Sequence, residues 1–556
     1  MRTVRPPRDV VTITLLDWSV LVLYFVVILG IGLVVGSRVR RTGEYFLGGR
    51  RFGPWVMIAQ SFSVGTHADM PVALAGAVYG IGASAIWYQW KNLFITPVYW
   101  IMAPVFRRVR RTTMAELTGD RYGAGMSAIY IVFALFFFII ETGTLLKGAG
   151  KVISQATGGT AGVNEIVMAM TVMFVLYSFV GGLVASAWTD LVQGFLIIVL
   201  SFMLIPLGLG VVGGFRGMTA ALPADRFSLA TPAGIGPWVI AMLTINGLVG
   251  IMAQPHMLAA VGTGRSERTC RVGMLFGNMV KRVCTVGWML VGLIAAAIVA
   301  QGGQAAVLGD PENAFGFACR QLLFPGALGL LIASILAASM SACSAYMVDA
   351  GALFTEGLYR RHLVPHRDDR HYLWVGRVSG VAITMLGVLY AVFLIQSVLY
   401  TFLLTETLAT FVGIGVLGGV VWRRANRWGA IASLAGALIV NFLLYYRAGE
   451  RLDHWNPNVF LAALCAGVAA LVAVSLLTPG EAADAIGPFF DRLETSSDEG
   501  AAARRPLLLV NVLQLRRAAG GPVWPVYRED FGGLALGGVL VLALVAATAA
   551  LLKIWQ

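Results

Sequence analysis

Charge is what this chain has least of. Only 12% of its 556 residues are Asp, Glu, Lys or Arg, where a soluble domain carries about a quarter. In contrast, 58% are hydrophobic and the mean hydropathy is +0.79. A water-soluble fold of this length is excluded. Cysteine is sparse too: Cys270, Cys284, Cys319, Cys343 and Cys465 stand singly, with no CxxC spacing. Neither a disulfide framework nor a thiolate metal site is indicated, and the five read as small apolar packing residues. HExxH and GxSxG are missing, so nothing marks the nucleophile and base of a membrane-embedded enzyme. Neither enzymatic activity nor an organic cofactor is expected.

What the chain has in abundance is apolar runs of roughly 20 residues, enough to cross about 30 Å of hydrocarbon. They predict an all-α polytopic membrane protein with about fourteen transmembrane helices: 17–37, 54–80, 83–106, 126–153, 164–182, 187–213, 235–262, 270–300, 325–358, 372–396, 398–421, 428–447, 457–477 and 531–554. The first run lacks a small-residue cleavage site and is followed by Arg38, Arg40 and Arg41, which suits a retained helix. A net charge of +13 would fit a nucleic-acid binder, but the basic residues fall in alternate loops, which is a topology signal. The rich loops, 38–51, 107–121, 265–271, 360–377, 423–427 and 492–528, share one side, expected to be cytoplasmic, with both termini outside. Arg2, Arg5 and Arg8 stand against that orientation, and the opposite side carries few others, among them Arg216, Arg226, Arg320, Arg447 and Arg451. The expected surroundings are a lipid bilayer, of a bacterial-type inner membrane, with no nucleic-acid partner. The polar connection 478–530 reads as a cytoplasmic loop with a short surface helix, too short for a signalling domain, so a transporter-like sensor or receptor is the weaker reading.

Two spans are interrupted by helix breakers and polar groups, at Gly65-Thr66-His67-Ala68-Asp69-Met70-Pro71 and from Asn246-Gly247 through Gly250 to Gln254-Pro255-His256. Unwound backbone at membrane depth survives only where it lines a cavity or is buried in protein. One such break is as readily a proline kink. Two of them five helices apart match paired discontinuous helices in an inverted repeat, which favours a solute-binding carrier over an open channel.

These residues, with others, resemble the sodium:solute symporter family, which has a LeuT-type core. The resemblance runs from about Trp18 to Trp422 and is carried by Tyr45-Phe46-Leu47-Gly48-Gly49-Arg50, by Gly76-Ala77-Val78-Tyr79, and by Thr113 to Arg121-Tyr122. Gly181-Gly182-Leu183 leading to Trp188-Thr189-Asp190-Leu191-Val192-Gln193 adds to it, as does the small-residue stretch from Ala333 through Ser341 to Leu358-Tyr359. It implies a LeuT-type inverted five-helix repeat: an extra helix and loop in 1–53, repeats in 54–213 and 235–421, and accessory helices in 428–556. It also implies symport of a small polar solute driven by a sodium ion.

Sodium needs about six oxygens near 2.4 Å. Ser341 and Ser344 lie i, i+3, with Ala337 and Ala338 one turn before, giving a small hydroxyl-bearing face that suits a site or a packing seam. The resemblance implies a main sodium site from Ser63, Thr66, Ala338, Ser341 and the next position, here Ala342, which lacks the usual hydroxyl. Coupling to protons, or uncoupled carriage, therefore stays open. It also implies a second site from Asp190 with Ser341 and Ser344, although Asp190 as a helix N-cap is an alternative.

The resemblance places the solute between the two breaks and the stretch starting at Trp87-Tyr88-Gln89-Trp90-Lys91-Asn92, where Gln89 and Asn92 share a helix face. Trp87 and Trp90 read as cavity walls or as interface anchors. His67, Asp69, Gln254 and His256 lie at the breaks, and titratable groups at membrane depth are functional by default. Lys281 matches a polar position of sugar-transporting relatives, and Arg282 beside it is not expected to share its face. Glu141, Asp349 and Glu406 are unranked. Asp349, two turns after Ser341, fits an ion exit path or an ion pair with loop arginines.

Overall fold

The computed structural model describes residues 13–37, 39–232, 234–302, 308–395, 397–449, 455–498 and 504–554. Arg2, Arg5, Arg8, Arg38 and Arg451 lie outside the described residues. Among those described the chain is helical, with two isolated β-bridges, Phe52 to Gly264 and Thr495 to Arg504. Among the described residues ten helices are long and apolar enough to cross a bilayer: Leu15–Gly36, Ala124–Ala156, Val163–Val212, Glu267–Gln301, Ala327–Leu363, Asp369–Phe393, Val398–Val421, Arg427–Ala448, Pro457–Leu477 and Val523–Lys553.

Ala327–Ala352 is the hub. All of its residues but Leu330 are buried, because Ala, Gly and Ser leave room for neighbours on every side. It packs on Leu15–Gly36, Ala124–Ala156, Val163–Phe202 and Asp369–Phe393. Asp17 ties it to the first helix, capping that helix and accepting from the amides of Gly326 and Gly329, both at 2.7 Å.

Both interrupted spans are broken, more narrowly than the sequence implies. Pro54–Ser63 and Asp69–Ile81 are separated by 64–68, and Pro237–Gly250, extended to Ala253, is separated from Met257–Gly262 by 254–256. Asn246, Gly247 and Gly250 remain helical. The two glycines serve close packing instead: a Cβ at Gly247 would lie 1.8 Å from Asn92 Oδ1, and one at Gly250 2.7 Å from Thr410 Oγ1. The stretch expected as a regular helix over 83–106 is also irregular. Trp87–Trp90 gives way to turns over 91–95 before Tyr99–Arg108, where Pro97 offers no amide and Thr96 Oγ1 donates to the Asn92 carbonyl at 2.7 Å. Gln89 and Asn92 therefore do not share a helix face.

The expected spans 164–182 and 187–213 run on without a loop. Their junction is Gly182, at φ 54° and ψ −147°, a conformation open in practice to glycine alone. A Cβ there would lie 2.4 Å from the Tyr45 ring and 2.6 Å from the Tyr45 carbonyl oxygen, and Tyr45 donates to Ser178 O at 3.1 Å.

The arginine-rich loops gather on one face. Arg108 holds Glu267 through two 2.9 Å bonds and donates to the Leu493 and Arg505 carbonyls. Asp120 receives Arg111 and Arg492, and Glu494 receives Arg423 and Arg504. The surface helix Ala483–Glu494, with Phe489, Phe490 and Leu493 buried, is thereby docked beneath the bundle. On the opposite face Glu312 accepts from Lys151, Ser397 and the amides of Val398 and Leu399.

Gly182→Ala should lose about 1–3 kcal/mol from backbone strain alone, with the clash against Tyr45 in addition. Heating detergent-solubilised protein and following the monodisperse peak should show a clear drop in melting temperature. Gly125→Ala, whose Cβ meets nothing within 4 Å, should show none.

Candidate functional site

The two breaks and the irregular 83–108 stretch converge on a buried cavity of about 50 Å³, room for a few waters. Gly65 and His67 of the first break line it, with Gln254 and His256 of the second. Gln89, Lys91 and Asn92 enter from the irregular stretch, Lys281 and Arg282 from Glu267–Gln301, Glu141 from Ala124–Ala156 and Glu406 from Val398–Val421. A larger solute requires these side chains to move.

The polar groups are organised around Glu406. Lys91 Nζ lies 2.8 Å from its Oε2, and Gln254 Nε2 donates to its Oε1 at 2.8 Å. Lys91 also lies 4.5 Å from the centre of the Phe402 ring. Arg282 Nη1 donates to the Gln89 carbonyl at 2.9 Å, and Trp90 Nε1 to the Arg282 carbonyl at 3.1 Å. Lys281 has no carboxylate within 4 Å among the described residues, and Glu141 Oε1 has no partner. Three cations thus face two carboxylates around one small cavity.

Of the six expected solute residues, His67, Gln89, Asn92, Gln254 and Lys281 line the cavity; Asp69 does not. Its Oδ1 is turned onto His67 Nδ1 at 2.9 Å. Arg282 does reach the cavity beside Lys281, contrary to expectation, because with Met274 and Asn278 the two fall at i, i+4, i+7 and i+8, a single broad stripe of their helix that faces the cavity. Trp87 and Trp90 do not line it. They pack edge to face on each other, with Trp87 Nε1 donating to Leu229 O at 2.6 Å, and so buttress the wall. Glu141 and Glu406, which nothing in the sequence ranked, are central. Their signal was the cost of an acid at membrane depth.

The expected ion ligands lie on the other side of the first break. Ser341 Oγ donates to Asp190 Oδ1 at 2.5 Å, and Ser63 Oγ to the Asp190 carbonyl at 3.2 Å. Three elements therefore meet at one residue, the end of Pro54–Ser63 at the Asp190 backbone carbonyl and the hub at its carboxylate, with the Val163–Phe202 helix supplying both. Asp190 Oδ2 and Thr66 Oγ1 are buried without partners, and no cationic side chain lies within 4 Å of Asp190 among the described residues. Asp190 is not an N-cap: it is fully buried eight residues past the Gly182 bend, inside a helix. Ser344 and Ala338 are buried on the hub, and Ala342 brings no hydroxyl. A desolvated carboxylate with spare oxygens around it is a donor set that fits a hard monovalent cation.

The profile of the sodium:solute symporter family matches residues 45–436. The osmoregulated proline transporter OpuE of Bacillus subtilis is 27% identical over 74% of this chain and 85% of its own length. The sodium/glucose cotransporter of Vibrio parahaemolyticus is 23% identical over 78% and 86%. Among solved structures, a sodium-coupled sialic acid symporter in a substrate-bound outward-open state superposes with a TM-score of 0.71 at 18% identity, covering 84% of this chain and 99% of that one. MHP1, a nucleobase-cation-symport-1 family transporter, gives 0.55 at 14% identity, over 82% and 100%.

Removing one partner of a buried ion pair strands the other charge, at about 3–5 kcal/mol, whereas replacing both by apolar groups is close to neutral. Glu406→Gln should therefore lower the melting temperature sharply, and Lys91→Met with Glu406→Leu should recover most of it. Thermal unfolding of the three purified proteins checks this, and equal losses in the single and double variants would disprove the pairing.

Proposed function

Because the chain belongs to the sodium:solute symporter family, we propose that it is a secondary active transporter that moves a small polar solute by alternating access, driven by sodium. The observation that carries this reading is the junction at Asp190. Asp190 joins the first break to the hub: its backbone carbonyl accepts from Ser63 and its buried carboxylate from Ser341, which leaves one carboxylate oxygen unpartnered. Sodium at Asp190, Ser341 and Ser63, with Thr66, Ala338 and Ser344 beside it, neutralises that charge and pins the two elements together. The solute occupies the cavity of Gln89, Asn92, Gln254 and Lys281. The excess of cations there favours a solute bearing a carboxylate. The relatives are named for proline and glucose, and the solved neighbour for sialic acid, so the class of small polar metabolite is shared and the identity is this chain's own.

In this reading the two broken helices, the irregular 83–108 stretch and both arms of Val163–Val212 each cross once. With the nine other long helices they make fourteen crossings. The repeats are 54–213 and 235–421, flanked by the extra helix in 1–53 and the accessory helices in 428–556. The arginine-rich face, with 478–530, is cytoplasmic, and the protein resides in an inner cell membrane. The missing hydroxyl at Ala342 favours one second reading, a carrier of the same fold coupled to protons or to nothing.

Solute counterflow in proteoliposomes, screened over amino acids, sugars and sugar acids, tests carriage itself. Ala342→Ser supplies a further oxygen and should lower the sodium concentration for half-maximal uptake about two- to tenfold, as one hydrogen-bond-sized ligand would. Asp190→Asn should raise it by roughly tenfold or more. Uptake by the parent that ignores sodium and follows a proton gradient would establish the second reading. For orientation, with the exposed Cys465 removed, a cysteine at the exposed Arg268 should resist an impermeant thiol reagent added outside, and one at the exposed Asp225 should react.

A further inference from the structure

A second, smaller cavity, of about 10 Å³, lies between the second break and the C-terminal part of the hub. Thr112, Thr113, Tyr130, Phe138, Pro255 and Asp349 line it. That volume holds a single water or an ion of similar size. Asp349 is 8% exposed and makes no hydrogen bond or ion pair among the described residues. The loop arginines that its position invites do not reach it: Arg360 pairs with Glu356, and Arg377 donates to the Val180 carbonyl. A buried carboxylate is not left without a counter-charge at no cost, and hydroxyl oxygens surround this one.

Its place in the fold is as informative as its chemistry. Asp349 follows Ser341 by eight residues on the hub, about 12 Å along the axis and on nearly the same face. Thr112 and Thr113 belong to the arginine-rich face, where Thr113 caps Met114–Tyr122. Between this cavity and the larger one stands a group of rings. Tyr346 lies 5.2 Å from His256 and 5.6 Å from Phe138, and Phe137 lies 6.0 Å from His256, centre to centre. Phe137, His256 and Tyr346 face the larger cavity and Phe138 the smaller. Tyr346 is one turn before Asp349, so the ring partition and the carboxylate ride on the same helix.

We propose that Asp349, with the oxygens of Thr112, Thr113 and Tyr130, forms a weak cation site that receives sodium on its way from Asp190 to the arginine-rich face, behind the His256–Tyr346 partition. Tyr130 already donates to the Ala253 carbonyl at 2.6 Å and the Thr113 hydroxyl is shared with its helix cap. The shell is therefore incomplete, which suits a transient stop rather than a resting site. This rests on the sodium-coupled reading above.

Sodium alone is the probe. NaCl is titrated against choline chloride at constant ionic strength while the unfolding temperature of the purified full-length protein is recorded. The parent should rise in two phases. Asp349→Asn should lose the high-concentration phase only, and Asp190→Asn the low-concentration phase only. A parent with a single phase that Asp349→Asn leaves unchanged overturns the Asp349 site while the sodium reading stands. A parent indifferent to sodium overturns both. Asp349→Glu keeps the charge and should shift the midpoint of the second phase at least twofold. Should Asp349→Asn fail to fold, an unshifted midpoint in Asp349→Glu overturns the site.

Discussion

Lipid offers no partner to a backbone amide or carbonyl, and the architecture is organised around the two places where that rule is set aside. The first break, 64–68, is enclosed by the hub and by Val163–Phe202; the second, 254–256, is closed over by Tyr130, which donates to the Ala253 carbonyl, and by Val398–Val421. Each break exposes polar backbone only to protein or to the cavity it shapes. Val163–Phe202 shields its break with one face and turns residues such as Phe195 outward, whereas Ala327–Ala352 is buried all round because four long helices pack on it.

Charges in the cavity obey the same constraint one level up. Lys91, Lys281, Arg282, Glu141 and Glu406 come from four separate elements, so no segment bears more than two of them across the bilayer interior. Their pairing is made only by tertiary structure, with Glu406 as the shared acceptor of Lys91 and Gln254. The resulting site is rigid where ions pair and open where they do not, at Lys281 and Glu141. A solute could engage those open groups without breaking an ion pair and stranding a buried charge.

Much of this is legible in the sequence, for reasons that differ between residues. The apolar runs and the two helix-breaker clusters follow from composition and local chemistry, so the all-helical class and both breaks could be read directly. Ser63, Asp190 and Ser341 could be nominated through the family resemblance, and the structure brings them together. What could not be read was tertiary choice. Nothing local distinguishes the Glu406 that pairs with Lys91 from an acid snorkelling to an interface, or tells that Asp69 would turn onto His67. Gly182 looked like the end of a span because a loop was the expected way to turn; a single residue at φ 54° does it instead, and only the docking of Tyr45 explains why.

Under the sodium-coupled reading, the physical link between ion and solute is short. Ser63 touches Asp190 on the ion side, and two residues later Gly65 lines the solute cavity. An ion that fixes Ser63 therefore orders the start of the break in which Gly65 and His67 form a cavity wall. The ordering cost is met once, by whichever ligand binds first, and the second then binds a break already set. Coupling of this kind is reciprocal, so the solute must raise the affinity for sodium by the factor by which sodium raises the affinity for the solute. It also needs no movement of the hub. The helix that holds Ser341 can stay fixed while the halves of the first broken helix carry the message, which fits a hub buried on every side and a break whose backbone is not held in a helix.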